Sequence, residues 1–149
     1  MKKILKLTLL ITIGTINYGW GQKILDVTPS KIDCEEFKDP KGTIKKVYTQ
    51  QIGEHSPNTI EVTEELMTWN KEQVSSGDFW TGDNGNTTVS LANTVYFESI
   101  IDLKVITKRG RYEIRFTNKA NGKEYIVFLM DKDLAMEGYH AIDCMMKKH

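Results

Sequence analysis

Three sets of residues in this chain have types and spacing that chemistry can use. His140 stands three residues after Glu137 and three before Asp143. An imidazole that titrates near neutral pH, with carboxylates to orient it, could serve as acid and base in a hydrolase. The plainer reading is a solvated helical face. Asp78, Phe79, Trp80 and Asp83 lie among Gly77, Gly82 and Gly85. Two large aromatic side chains beside carboxylates form an anchor that can stack on and hydrogen-bond to a protein or glycan partner. In the alternative, which the high average burial of aromatic residues favours, Phe79 and Trp80 fold back over the core. Cys34 and Cys144 are the third set.

These are the chain's 2 cysteines, and a disulfide between them would close a loop of roughly 110 residues, contributing about 4 to 5 kcal/mol in the chain-entropy treatment. A redox role is disfavoured because no C-x-x-C occurs. His55, His140 and His149 do not combine with the cysteines at zinc-ligand spacing. The run from Asp83 to Asn86 looks like calcium chemistry only superficially and suits a tight turn better. No metal or cofactor is expected. The chain also lacks a G-x-S-x-G elbow, an H-E-x-x-H helix and a phosphate-cradling glycine loop, which lowers the prior for catalysis without excluding a site that needs no motif.

The N-terminus supplies a cellular address. Lys2, Lys3 and Lys6 precede an apolar run from Leu7 to Ile16, and Gly19 and Gly21 provide small side chains before a cleavage point. Residues 1–21 therefore read as a signal peptide that directs the protein to a bacterial periplasm or out of the cell. The run is about half of the roughly 20 residues a bilayer span needs, and no cysteine follows the cut to carry a lipid. The 128 residues that remain of 149 suit one domain. Cleavage removes three lysines from a chain with 20 basic and 20 acidic residues, leaving 17 against 20 and a net charge of −3. With no basic block, nucleic acid is not an expected partner.

The elements that must position these groups follow from periodicity. Residues 22–43 read as an irregular arm and 44–149 as a single α+β domain. Ile44 to Ile52 is β-branched, aromatic and bounded by glycines, which predicts a strand. Ser56 before Pro57 is a helix-start signal, and Val62, Leu66, Trp69 and Gln73 align on one helical face beside Ile60, Met67 and Val74. This predicts a helix ending at Ser75, Ser76 and Gly77. From Thr94 to Lys108, Val95, Phe97, Ile101, Leu103 and Val105 alternate with polar residues, as in one long strand. A turn at Lys108 to Arg111 leads into a partner strand bearing Tyr112, Ile114 and Phe116. Asn121-Gly122 turns the chain into a third strand, EYIVFLM, and TTVSLA before Asn93 leads into the set.

Asp131 or Asp133 can cap a final helix, whose buried stripe would be Leu134, Gly138, Ile142 and Met145. Cys144 falls off that stripe, so its disulfide would strap the arm across an outer or side face of the helix. The predicted order is strand, helix, four strands, helix: a curved antiparallel sheet of about five strands with both helices on one face.

The order, with KVITKRGRYEIRF in the hairpin and EELMTWNKEQ in the first helix, resembles a family of exported bacterial domains of unknown function with a TATA-binding-protein-like fold. The likeness spans roughly residues 44–130. It implies a TATA-binding-protein-like or helix-grip-like architecture and no catalytic residues, and its name does not imply DNA binding here, since an exported domain without a basic face has no footprint for it. The sequence therefore predicts an exported, non-enzymatic binding or interaction domain. Asp78, Phe79, Trp80 and Asp83 would contact a protein partner, in the manner of an inhibitor or immunity factor. The alternatives are a carrier of a small apolar ligand between sheet and C-terminal helix, lined by Met130, Met136, Met145 and Met146, and a hydrolase using His140 with Glu137 or Asp143.

Overall fold

The computed structural model describes residues 24–75 and 87–148. The proposed signal peptide and the loop carrying Asp78, Phe79, Trp80 and Asp83 lie outside the described residues. The chain is α+β, with two helices and two antiparallel sheets. Strand β1 (Leu25–Asp26) precedes helix α1 (Pro40–Thr49). Strands β2 (Thr59–Val62), β3 (Leu66–Ser75) and β4 (Thr87–Tyr96) follow, then β5 (Ile100–Lys108), β6 (Arg111–Asn118), β7 (Lys123–Leu129) and helix α2 (Lys132–Lys147). One sheet has the order β1-β5-β6-β7 and the other β2-β3-β4. The strand–helix–strands–helix order stands, but the expected single sheet is split in two.

The first helix lies where a strand was expected. Asp39 accepts a hydrogen bond from Gly42 N at 2.8 Å and Pro40 occupies the first turn, so α1 begins at a capped proline. Ile44, Val47 and Tyr48 then fall at helical spacing and are buried, while Lys45 and Lys46 face outward. A Cβ on Gly42 would collide with the Asp39 carboxylate. The β-branched character of Ile44 to Ile52 is outweighed by this cap and by the pairing of the buried residues.

The expected helix from Ser56 is instead a short 3-10 turn at Gly53–His55 followed by the β2–β3 hairpin. Ser56 does not cap a new helix: its hydroxyl donates to the Gln51 carbonyl at 2.8 Å, closing the exit of α1. Thr63 Oγ1 accepts from Leu66 N at 3.1 Å and stabilises the hairpin turn. Ile60 and Val62, then Met67 and Trp69, alternate toward the interior on either side of that turn. The same apolar residues satisfy a period of two in two short pieces. Ten consecutive residue pairs from Leu66↔Tyr96 to Ser75↔Thr87 decide in favour of the strand.

The long strand expected over 94–108 is also divided. A 3-10 turn at Phe97–Ser99, held by Ser99 Oγ donating to Tyr96 O at 2.7 Å, carries the chain from one sheet to the other. Phe97 fills the corner with none of its surface exposed. In β5 the register shifts between Ile101 and Lys104, where Asp102 adopts φ 54°. This bulge slips the alternation, so Ile100 is buried and Ile101 is exposed.

The C-terminal half matches its sequence pattern closely. Arg109 and Gly110, with φ of 54° and 76°, make the two-residue turn between β5 and β6. Gly122, at φ 68°, follows Asn121 into β7. Asp131 accepts from Leu134 N at 3.0 Å and caps α2, whose Leu134, Gly138, Ile142 and Met145 are buried. Gly138 permits close approach: an added Cβ would meet Ile114 Cδ1 at 2.7 Å and Val47 Cγ2 at 2.8 Å. Helix α2 therefore touches both β6 and α1 at this point. Cys34 and Cys144 form the expected disulfide, with Cα atoms 5.3 Å apart. Cys144 is buried, as are all of residues 141–145, and its bond ties the arm onto α2. The arm is anchored a second time by β1, where Val27 N donates to Val105 O at 2.9 Å.

Candidate functional site

An open cleft of about 150 Å³ lies where the exit of α1 meets the seam between the two sheets. Tyr48 and Gln51 come from α1 and the residues after it, His55 from the 3-10 turn, Trp69 and Lys71 from β3, and Tyr125 and Ile126 from β7. Helical spacing puts Tyr48 on the inner face of α1 beside Val47. Strand alternation projects Trp69 and Lys71 from the same face of β3. The Trp69 ring lies 5.0 Å from Tyr48 and 5.3 Å from Tyr125, and Tyr125 stacks on Phe116 at 5.4 Å. Lys123 reaches across the seam to Asn93 Oδ1 at 3.0 Å and sits over the Tyr125 ring at 4.9 Å. The cleft walls are therefore fixed by aromatic packing from three elements.

Its polar groups are arranged differently. Tyr48 is 2% exposed, and its hydroxyl is buried with no hydrogen-bond partner among the described residues. Burial, with a smaller repulsion from Tyr125, raises the Tyr48 phenol far above its ordinary value, so the group stays a neutral O–H. Gln51 Oε1 accepts from Phe128 N at 3.3 Å, which leaves the amide nitrogen with its two donors. Ile52 N donates to Phe128 O at 3.0 Å, so the residues after α1 also cover the β7 edge at Phe128. His55 lies against the Phe128 ring at 4.3 Å. Lys71 forms no ion pair among the described residues.

The sequence-predicted acid–base set is dispersed. His140 is half-buried; burial pushes its imidazole below its ordinary value, Asp143 works against this and Lys147 reinforces it. Glu137 pairs with Lys46 at 3.6 Å, and Asp143 with Lys147 at 2.6 Å. Neither carboxylate hydrogen-bonds to the imidazole, whose Nδ1 has no partner among the described residues. Lys147 Nζ also approaches Cys34 Sγ at 3.8 Å, so this group braces the disulfide. Among the described residues no cluster of three or more His, Cys, Asp or Glu side chains is placed to hold a metal ion. No helix of the described residues is long and apolar enough to cross a membrane.

The methionines proposed to line a carrier cavity are scattered: Met145 is in the core, Met136 and Met146 are half-buried beside it, and Met130 is exposed. The Gly138 contact brings α2 directly onto β6 where that cavity would open.

No family model matches this chain, and no curated protein or solved structure is significantly similar to it. Function must therefore be argued from the cleft itself. Sequence reasoning identified Trp69 as an apolar contact but placed it on a helix. It missed Tyr48, Lys71 and Tyr125 as members of one site. The signal that reveals Tyr48 is the Asp39-Pro40 start followed by Ile44, Val47 and Tyr48 at helical spacing; the convergence of β3 with β7 has no local signal.

Proposed function

We propose that this protein is an exported, disulfide-tied binding domain that acts without catalysis and recognises another exported protein through the cleft between Tyr48, Trp69 and Tyr125. The observation that carries this reading is the buried, unpartnered Tyr48 hydroxyl on a cleft with rigid aromatic walls. A buried hydroxyl without a partner costs the fold about 1 to 3 kcal/mol, and a bound group that accepts its hydrogen bond would remove that penalty. Aromatic walls around a few polar groups are the ordinary composition of a recognition pocket. The Cys34–Cys144 bond supports export, because disulfides persist in oxidising compartments, and the sequence of residues 1–21 supports it independently. Asp78, Phe79, Trp80 and Asp83, which lie between β3 and β4 in the sequence, are kept as a second candidate contact for that partner.

The test is affinity capture from envelope and culture medium using the oxidised protein as bait, in parallel with Lys71→Glu and Trp80→Ala forms. One dominant partner retained by the unmodified protein and lost with Lys71→Glu supports recognition at the cleft. A partner lost only with Trp80→Ala moves the site to the loop, and retention of the same partner by both variants refutes both placements.

A further inference from the structure

The polar lining of the cleft carries one fixed cation and no carboxylate among the described residues, beside His55 and two tyrosines that can donate or accept. Lys71 and the Trp69 indole can only donate hydrogen bonds, and Gln51 has its acceptor engaged by Phe128 N. The Tyr48 hydroxyl has no hydrogen-bond partner among the described residues. No Asp or Glu among the described residues lines the cleft. The volume is a second constraint: about 150 Å³ is the size of a cavity that holds one benzene ring, and is well below the ~300 Å³ at which sites for larger ligands begin. A phosphate would find neither an arginine fork nor a backbone nest among these residues.

We infer that the cleft takes a carboxylate carried on a single aromatic or compact apolar group, with Lys71 and the Gln51 amide on the carboxylate, Tyr48 donating to it, and Trp69 and Tyr125 enclosing the apolar part. This inference rests on the cleft being the binding site. The same chemistry is presented by the C-terminal residue of a protein, when that residue is aromatic, and by a free small aromatic acid. A chain end fits the proposed protein partner, because a terminal carboxylate is the one part of an extended chain that combines an anion and an adjacent side chain in so small a space.

The experiment is calorimetric titration of the disulfide-closed protein with four probes: 3-phenylpropanoate, 3-phenylpropanamide, a short peptide ending in phenylalanine with a free carboxylate, and the same peptide amidated. The expected result is that each acid binds at least about tenfold tighter than its amide, as a charge-assisted contact at a partly enclosed site would give. Lys71→Gln, a change on a partly exposed strand position, is expected to reduce that preference to within about twofold. Binding by the peptide acid identifies a chain terminus as the source; binding by phenylpropanoate alone identifies a small acid. Equal binding of acids and amides, an acid preference unaltered in Lys71→Gln, or no saturable binding by any probe overturns the inference. A partner still captured in a Lys71-dependent way would then leave the binding-domain reading intact, so the two failures are distinguishable.

Discussion

Two buried polar side chains, Glu113 and Tyr48, are treated in opposite ways. Glu113, on β6, has none of its surface exposed and receives hydrogen bonds from Arg111 Nε at 3.0 Å and from Arg115 Nε and Nη2 at 3.0 and 2.6 Å. Burial pushes its carboxyl up, but the hydrogen bonds and charges of Arg115 and Arg111 outweigh that and hold it below the usual carboxylate range. Arg111 is itself fixed over the Phe128 ring at 4.7 Å. Tyr48, at the seam between the sheets, is as deeply buried, but its hydroxyl has no partner among the described residues. On the four-stranded sheet the buried carboxylate is thus satisfied by its own neighbours, although His140 Nδ1 on α2 has no hydrogen-bond partner among the described residues. At the seam the Tyr48 hydroxyl is left without such a partner among the described residues, and the proposed site rests on that group. Changes in the framework, the four-stranded sheet with α2, should act on stability; changes in the cleft should act on binding.

The largest effect should come from the strap. Replacing both Cys34 and Cys144 with alanine is expected to destabilise the protein by about 4 to 5 kcal/mol, measured by urea unfolding, with the released arm showing faster amide exchange at Val27. Next is Gly138→Val on α2. Its Cβ alone would press on Ile114 and Val47, so about 2 to 3 kcal/mol of destabilisation is expected from overpacking, read as a lower denaturation midpoint. Survival of Gly138→Val at unchanged stability would show that α1 and α2 can separate cheaply, and would revive a ligand space beneath α2.

Glu113→Gln should cost about 2 kcal/mol at neutral pH, since it removes a charge that two arginines surround. The pH dependence has a definite sign. A carboxyl held low in the folded state contributes stability that is present above its unfolded value, 4.5, and is lost as pH falls through its folded value. His140 acts in the same direction from a higher pH: with its folded value below 6.5, its contribution is complete above 6.5 and declines as pH falls through that region. Unfolding midpoints measured from pH 7 to pH 3 should therefore fall continuously in the unmodified protein. In Glu113→Gln the lower part of that decline should flatten while the part near pH 6 remains.

The contrast between framework and cleft also accounts for what the amino-acid sequence revealed. Around β5, β6, β7 and α2 the deciding signals are local. Arg109-Gly110 and Asn121-Gly122 fix turns, Asp131 caps a helix, and Leu134, Gly138, Ile142 and Met145 give its buried stripe. The disulfide was legible from two cysteines and an N-terminal run that reads as a signal peptide. Between Pro40 and Ser75 the local signals conflict. Val62, Leu66 and Trp69 fit a helix as well as a strand, and only pairing with β4 resolves the choice. Ser56 has the chemistry of a helix cap but donates to Gln51 O instead. The cleft is built from this ambiguous segment and from β7, more than fifty residues away, so no window of sequence contains it. Its members were legible singly, as Trp69 was, but not as a set.

The most direct measurement is the pair of values given by Tyr48→Phe: stability by denaturant unfolding, and capture of the partner by the oxidised protein. The variant keeps the ring packing with Trp69 and removes only the hydroxyl. If the hydroxyl serves a ligand, the variant should be as stable as the unmodified protein, or more stable by up to about 1 kcal/mol, and should bind several-fold more weakly. A variant that loses about 1 kcal/mol or more of stability while binding normally would contradict the account, because the hydroxyl would then have a partner within the fold and the cleft would lose its distinguishing feature.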